Sequence, residues 1–247
     1  MNDSILIIPV TNLALAFVPV LAVAGILFRW SLDYRNALYA ALRMLIQLLI
    51  IGYFLLFIFG SDSVWLVIAV VAVMVFAASW IALSSIVEKR RALYTRALLS
   101  IAVGGGFVLA LITQGVLDLA PWYLPRYLIP LAGMIFANAM NAVSLAAERF
   151  HSETQSHATY EQARDTAFRA SLIPNVNTLF AVGLVAIPGM MTGQILAGVS
   201  PLIAVRYQIM VMCMLFGAAG LASACFLTLL RLRLPGLQRE EGTPRVT

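Results

Sequence analysis

An all-α bundle of about seven membrane-spanning helices is the fold this sequence predicts, and three observations predict it. Hydrophobic residues make up 62% of the chain and charged residues only 11%, against about 25% charged in a soluble domain. The apolar residues gather into runs long enough for a hydrocarbon core of about 30 Å, which takes about 20 helical residues. The charges gather between those runs. A water-soluble globule would need a more polar surface, and disorder needs low hydrophobicity with high charge. Residues 1–247 therefore read as a single transmembrane domain without a sizeable soluble part.

The runs lie at about 5–28, 38–59, 64–87, 97–117, 127–147, 175–196 and 203–230. They are expected to be helices because lipid leaves strand edges unpaired, and the alternation of a membrane barrel is absent. The first follows Met1–Ser4, which lacks the basic start of a signal peptide, so it reads as a retained span. The second carries Arg43 and Gln47 four apart on one face. Arg43 is close enough to the span's end to snorkel to a headgroup.

In the fifth run Met134, Asn138 and Asn141 share one helical face. Carboxamides facing lipid are costly, so they should point into protein or into a pathway. Gly133 and Ala137 are small enough for close helix approach. Two readings stay open: hydrogen bonding between helices, or a substrate path lined by amide and thioether. Thioether favours soft metals and carboxamide oxygen harder ones, so the pair names no ion and no metal ligand is assigned.

The sixth run ends in Ile187-Pro188-Gly189-Met190-Met191-Thr192-Gly193, with Gly198 and Pro201 beyond. A helix breaker and glycines inside an apolar run predict a kinked, unwound or re-entrant segment; a plain outer loop is the other reading. Gln208 opens the seventh run as a polar residue in a span, a functional hypothesis by default. Cys213 and Cys225 follow, twelve positions and so about 18 Å apart along a helix, too far for a disulfide. They are expected to be buried thiols.

The sixteen basic residues outnumber eleven acidic ones, for a net charge of +5. Alternate connections hold nearly all of them, from Arg29 and Arg35 through Lys89–Arg91 to Arg164 and Arg169, while the other side holds Arg126 and Arg206. The positive-inside rule then places the N-terminus outside and the C-terminus in the cytoplasm. Basic span ends touch anionic lipid, and no basic patch interleaved with aromatics suggests nucleic acid as a partner.

Residues 148–172 form the one long polar connection. Tyr160 to Ser171 reads as a helix, with Pro174 suited to the first turn of the next span. It is either a solvated loop or a docking helix for a cytoplasmic partner. Glu153, His157 and Glu161 would form one stripe if a single helix carried them. The only lysine, Lys89, stands in Val87-Glu88-Lys89-Arg90-Arg91 with no glycine beside it, so this chain has no P-loop and any ATPase must be another subunit. Catalytic motifs are absent and both histidines lie outside the runs, which argues against an intramembrane enzyme. Ionisable residues are nearly missing from mid-span, which disfavours the alternative of a stand-alone secondary transporter or channel for a small ion.

Five stretches carry a resemblance: Arg43 through Gln47 to Gly52-Tyr53, Ile129 to Met140, Arg169 to Pro174, Val182 to Met191, and Tyr207 to Val211. In these the chain resembles the FetB-type permeases, the membrane subunit of the FetAB ABC transporter associated with iron export, related to plant aluminium-tolerance permeases. The resemblance implies a multi-pass permease of the bacterial inner membrane working by alternating access. It would be a homodimer paired with ABC ATP-binding subunits that hold the ATP and magnesium, with no cofactor in this chain. The cargo would be a metal ion, plausibly iron, passing Met134, Asn138, Asn141, Met190 and Met191 with Gln47 and Gln208. The loop at 155–171 would be the coupling helix, through Tyr160, Glu161, Arg164, Asp165 and Arg169. One departure is visible: family members often have a Leu-Gly-Ala turn where this chain reads Ser156-His-Ala-Thr-Tyr-Glu-Gln-Ala163, without the glycine.

Overall fold

The structure is a computed structural model that describes residues 8–60, 63–156 and 158–231. These fall into two compact units, one within 1–61 and one within 62–247.

The first unit is a helical hairpin. A short helix α1 (Val10–Leu15) steps at Ala16-Phe17 into α2 (Val18–Arg29), which turns back into α3 (Tyr34–Phe59). The turn is built locally: Asp33 caps α3 by accepting from the Asn36 amide at 3.1 Å, and Phe28 meets Tyr34 edge-on at 5.3 Å. Tyr53, Leu56 and Phe57 are exposed along α3, as suits a helix in lipid. Gln47 and Arg43 are exposed as well.

The second unit holds α4 (Val64–Ala82), a 3-10 turn (Val87–Lys89), α5 (Arg90–Ala110), a π turn (Leu111–Val116), α6 (Pro125–Gln155), α7 (Tyr160–Ala181), α8 (Gly189–Leu196) and α9 (Pro201–Arg231). Helices α6 and α9 each have 31 residues, about 46 Å at 1.5 Å per residue, and form its centre. Helices α5 and α7 pack on both, α4 packs on α5 and α6, and α8 packs on α9. The buried face of α6 mixes small and large residues: Ala132, Ala139, Ala142 and Ala146 alternate with Ile135, Val143 and Phe150. Small residues let helix backbones approach where lipid gives no hydrophobic drive. The tightest approach is at Gly104, where a Cβ would lie 2.7 Å from the Ala222 amide nitrogen of α9. At Gly105 a Cβ would press the Phe136 ring of α6 at 2.9 Å. The expected close approach at Gly133 and Ala137 is not there: a Cβ at Gly133 would meet only the Met74 methyl at 3.4 Å, and Ala137 is exposed.

Hydroxyls in the bundle satisfy themselves locally. Ser79 donates to the Val75 carbonyl at 2.7 Å, Thr113 to Leu109 at 2.8 Å and Ser223 to Ala219 at 2.6 Å, which removes the cost of a bare donor in an apolar medium. Between α4 and α5, Arg90 donates twice to the Trp80 carbonyl, at 3.0 and 2.6 Å, with its guanidinium 3.9 Å above the Trp80 ring.

Among the described residues, six helical segments are long and apolar enough to cross a membrane: Thr11–Arg29, Tyr34–Phe59, Val64–Ala82, Arg90–Val116, Pro125–Gln155 and Pro201–Arg231. They correspond to six of the seven runs. The other run, 175–196, is split. Helix α7 carries its first part and ends at Ala181; Val182 to Pro188 are non-helical, with Gly183 at φ 82°; α8 takes the rest. The break thus starts six residues before Pro188. Pro174 is not in the first turn of a new helix but inside α7, so the expected docking helix and the first turns of that run are one continuous helix. The polar connection shrinks to 156–159, since α6 extends to Gln155. Glu153 on α6 and Glu161 on α7 therefore share no helix, and His157 lies outside the described residues. Cys213 is exposed and Cys225 partly so; the expected burial fails because the face that α9 turns inward runs through Val211, Met214, Ala218, Ala222 and Phe226, to one side of both.

Candidate functional site

Three helices line a half-open cavity of about 550 Å³. Helix α6 contributes Tyr127, Pro130 and Met134, which recur at i, i+3 and i+7 and so share one face. Helix α8 contributes Met190 and Gln194, four apart, and α9 contributes Tyr207 and Met210, three apart. The local sequence sets each wall. Pro188, extended at φ −64° and ψ 144°, starts α8 and leaves its first turn facing the cavity side. Gly198, at φ 88°, and Pro201 turn the chain from α8 into α9; only glycine takes that φ without strain. Arg126, an exposed side chain, stands at the lip.

The lining is soft and neutral inside that lip. Met134, Met190 and Met210 bring three thioethers from three helices. The Gln194 carbonyl oxygen is buried with no hydrogen-bond partner. Among the described residues no group of three His, Cys, Asp or Glu side chains is placed to hold a metal ion.

The other residues singled out from sequence are placed elsewhere. Asn138, one turn beyond Met134, donates to Asn175 Oδ1 at 2.9 Å and to the Leu215 carbonyl at 2.6 Å. It fastens α6 to α7 and α9 beside a void of about 70 Å³. Asn141 is exposed and Met191 half-buried, outside the cavity lining. Gln208 lies on the buried face of α9 with both its amide atoms unpartnered. Gln47 belongs to the other unit. Met210, Gln194 and Tyr207 were missed as lining residues. The signal for Met210 was available, three positions after Tyr207; for Gln194 it was not, because α8 had no predicted start.

The start of α7 makes a second site. Thr159 accepts from the Gln162 amide and Gln162 from the Thr159 amide, a reciprocal capping box. Of the five residues expected at the docking surface, Tyr160 is buried: its hydroxyl donates to the Leu227 carbonyl of α9 at 2.8 Å and its ring meets Phe150 of α6 at 5.9 Å. Burial pushes its phenol above the ordinary value, against the opposing pull of Arg164 and Arg231. Glu161, Asp165 and Arg169 recur every four residues along a more exposed face, while Tyr160, Ala163, Ala167 and Ser171 face inward. Arg164 pairs with Asp165 at 2.7 Å, and that hydrogen bond raises the Arg164 pKa. Close by, Lys89 donates to His151 Nδ1 at 3.3 Å on the wall of an apolar groove of about 480 Å³ that also includes Phe150 and Leu230.

A family model described as Uncharacterised protein family (UPF0014) matches residues 10–234. The chain belongs to the UPF0014 family. The match spans α1 to α9, so the cavity and the α7 cap both lie within it. The chain is 39% identical, over 89% of its length and 91% of the relative's, to the probable iron export permease protein FetB of Escherichia coli. It is 42% identical, over 71% of its length and 73% of the relative's, to a UPF0014 membrane protein of Synechocystis. It is 33% identical, over 85% of its length and 81% of the relative's, to the protein ALUMINUM SENSITIVE 3 of Arabidopsis thaliana. No solved structure matches the chain. The resemblance read from the five sequence stretches is therefore a family relationship, and a UPF0014 chain with six apolar helices of spanning length among its described residues is a multi-pass membrane protein.

Proposed function

We propose that this chain is the permease subunit of an ATP-driven ABC transporter that exports a metal ion by alternating access, with iron as the cargo suggested by the E. coli relative's name. The observation that carries the reading is the path of α7. It runs unbroken from Tyr160, at the charged end, to Ala181, and a short turn then leads into α8, whose Met190 lines the cavity. A push on Glu161, Arg164, Asp165 and Arg169 would travel along that helix toward the cavity wall. The ATPase, with ATP and magnesium, would be a separate subunit, and a second permease copy would complete the assembly. The side of the membrane that bears most of the arginines would be the cytoplasm, with the C-terminus there and the N-terminus outside a bacterial inner membrane. The cargo path is taken through Met134 and Met190, with Met191, Asn138, Asn141, Gln208 and Gln47 as further contributors during the transport cycle.

The test is co-purification. The chain is tagged at its C-terminus, extracted in mild detergent, and its companions identified by mass spectrometry. The proposal expects a stoichiometric ATP-binding-cassette protein that is lost when 160–171 are replaced by a flexible linker. Absence of any ATPase across several detergents would overturn it in favour of ion-coupled transport.

A further inference from the structure

The cavity's donor set is narrower than a generic metal path. Its three sulfurs are thioethers, and its buried orphan is an amide oxygen. Thioether is a soft, uncharged donor that selects soft ions, whereas carboxylate, water and carbonyl suit hard ones. A neutral lining compensates none of an ion's charge, and the cost of that rises with the charge buried. The guanidinium of Arg126 at the lip repels a divalent ion twice as strongly as a monovalent one. Tyr127 and Tyr207 add aromatic faces, which attract a cation without adding charge. The unpartnered Gln194 oxygen supplies a free acceptor in the lining.

We propose that Met134, Met190, Met210 and Gln194 form a binding site for a soft monovalent cation of the copper(I) or silver(I) class, and that this site prefers such an ion to ferrous iron. The site keeps the export of a metal ion, on which its role as a station for cargo rests, and departs from iron, the cargo that the E. coli relative's name suggests; binding itself does not depend on transport. Three walls from α6, α8 and α9 must stay together for the sulfurs to act on one ion. A shift of α8 driven through α7 would separate Met190 and Gln194 from the other two, and so release it.

The experiment uses the full chain purified in detergent without any ATPase, carrying Cys213→Ala and Cys225→Ala so that no thiol competes. Silver(I) is the probe, measured by equilibrium dialysis in chloride-free buffer, with methionine methyl NMR as a second readout. The expected result is one silver ion per chain with shifted methyl signals from the three methionines. Binding is lost in Met134→Leu/Met190→Leu/Met210→Leu, whose side chains keep the volume and so the fold. An equal concentration of ferrous iron leaves the silver in place. No binding, or binding unchanged in the triple-leucine chain, overturns the site. Displacement of silver by equimolar ferrous iron overturns the preference. A chain that binds silver but recovers no ATPase keeps the site and sinks the export reading; the reverse pattern does the opposite.

Discussion

The two ends of α7 differ in how they are held. At its start, a capping box, the Tyr160 hydroxyl on α9, and the Phe150 ring on α6 fix the helix to the bundle. At its far end the chain leaves the helix through Gly183, and Phe180, Leu184, Val185 and Ile187 stand exposed. The first end is closed and hydrogen-bonded; the second is broken, and α8 beyond the break carries an unpartnered amide oxygen at Gln194. A segment with few buried contacts opens at low cost, and moving parts are drawn from such segments. The difference teaches that the fixed end can receive a push and the loose end can turn it into a change of cavity shape.

The framework common to both ends breaks first. Gly104→Val forces side-chain atoms into the Ala222 backbone and should destabilise the unit by about 3 kcal/mol or more, read as loss of the thermal transition in detergent. Gly106→Val, where a Cβ meets nothing within 4 Å, serves as the control and should leave that transition nearly in place.

Loosening the fixed end comes next. Tyr160→Phe leaves the Leu227 carbonyl without its donor and should cost about 1–2 kcal/mol. Hydrogen exchange should rise at the start of α7 and not at α8. Thr159→Ala removes one half of the capping box and should cost about 1 kcal/mol, with faster exchange confined to the first turn of α7.

The Tyr160 phenol gives a pH signature. Its folded pKa lies above 10.0, so the neutral form is favoured in the fold. Its contribution is fully present below pH 10.0 and is lost as pH rises past that value through the folded pKa. Part of the alkaline loss of stability should therefore vanish in Tyr160→Phe, measured as melting temperature against pH. The smallest effect on stability belongs to the loose end. Met190→Leu preserves volume and should cost less than about 1.5 kcal/mol, while metal movement falls in a reconstituted transport assay.

Most of this contrast was legible in residue order. Pro188 and Gly198 announced an interrupted helix, and the chain leaves the helix ahead of the first and at the second, while Gly189 and Gly193 lie inside α8. The apolar runs announced seven helices of spanning length; six stand as such among the described residues, and the run 175–196 is split between α7 and α8. What residue order could not give was partnership. Asn138 had equal reason to line a path or to bind a neighbour, and only the arrival of Asn175 and the Leu215 carbonyl decides where its amide points. Pro174 looked like a boundary because proline removes an amide donor. It sits mid-helix because α6 and α9 hold the turns on both sides, and Thr178 donates to the Pro174 carbonyl at 2.8 Å. Gly104 was one of three glycines in a row, and nothing local distinguished the one facing Ala222 from Gly106, which faces open space.

In the proposed mechanism α7 transmits ATP-driven motion from its charged start to the methionine cavity. The most direct measurement reconstitutes the chain with its co-purified ATPase in liposomes and follows ATP-dependent metal movement alongside ATP hydrolysis. The comparison is between the natural chain and one carrying Ala170→Gly and Ser171→Gly, which soften α7 midway. The account predicts that the softened chain still hydrolyses ATP but moves far less metal per ATP. Unchanged metal movement per ATP in the softened chain would contradict it.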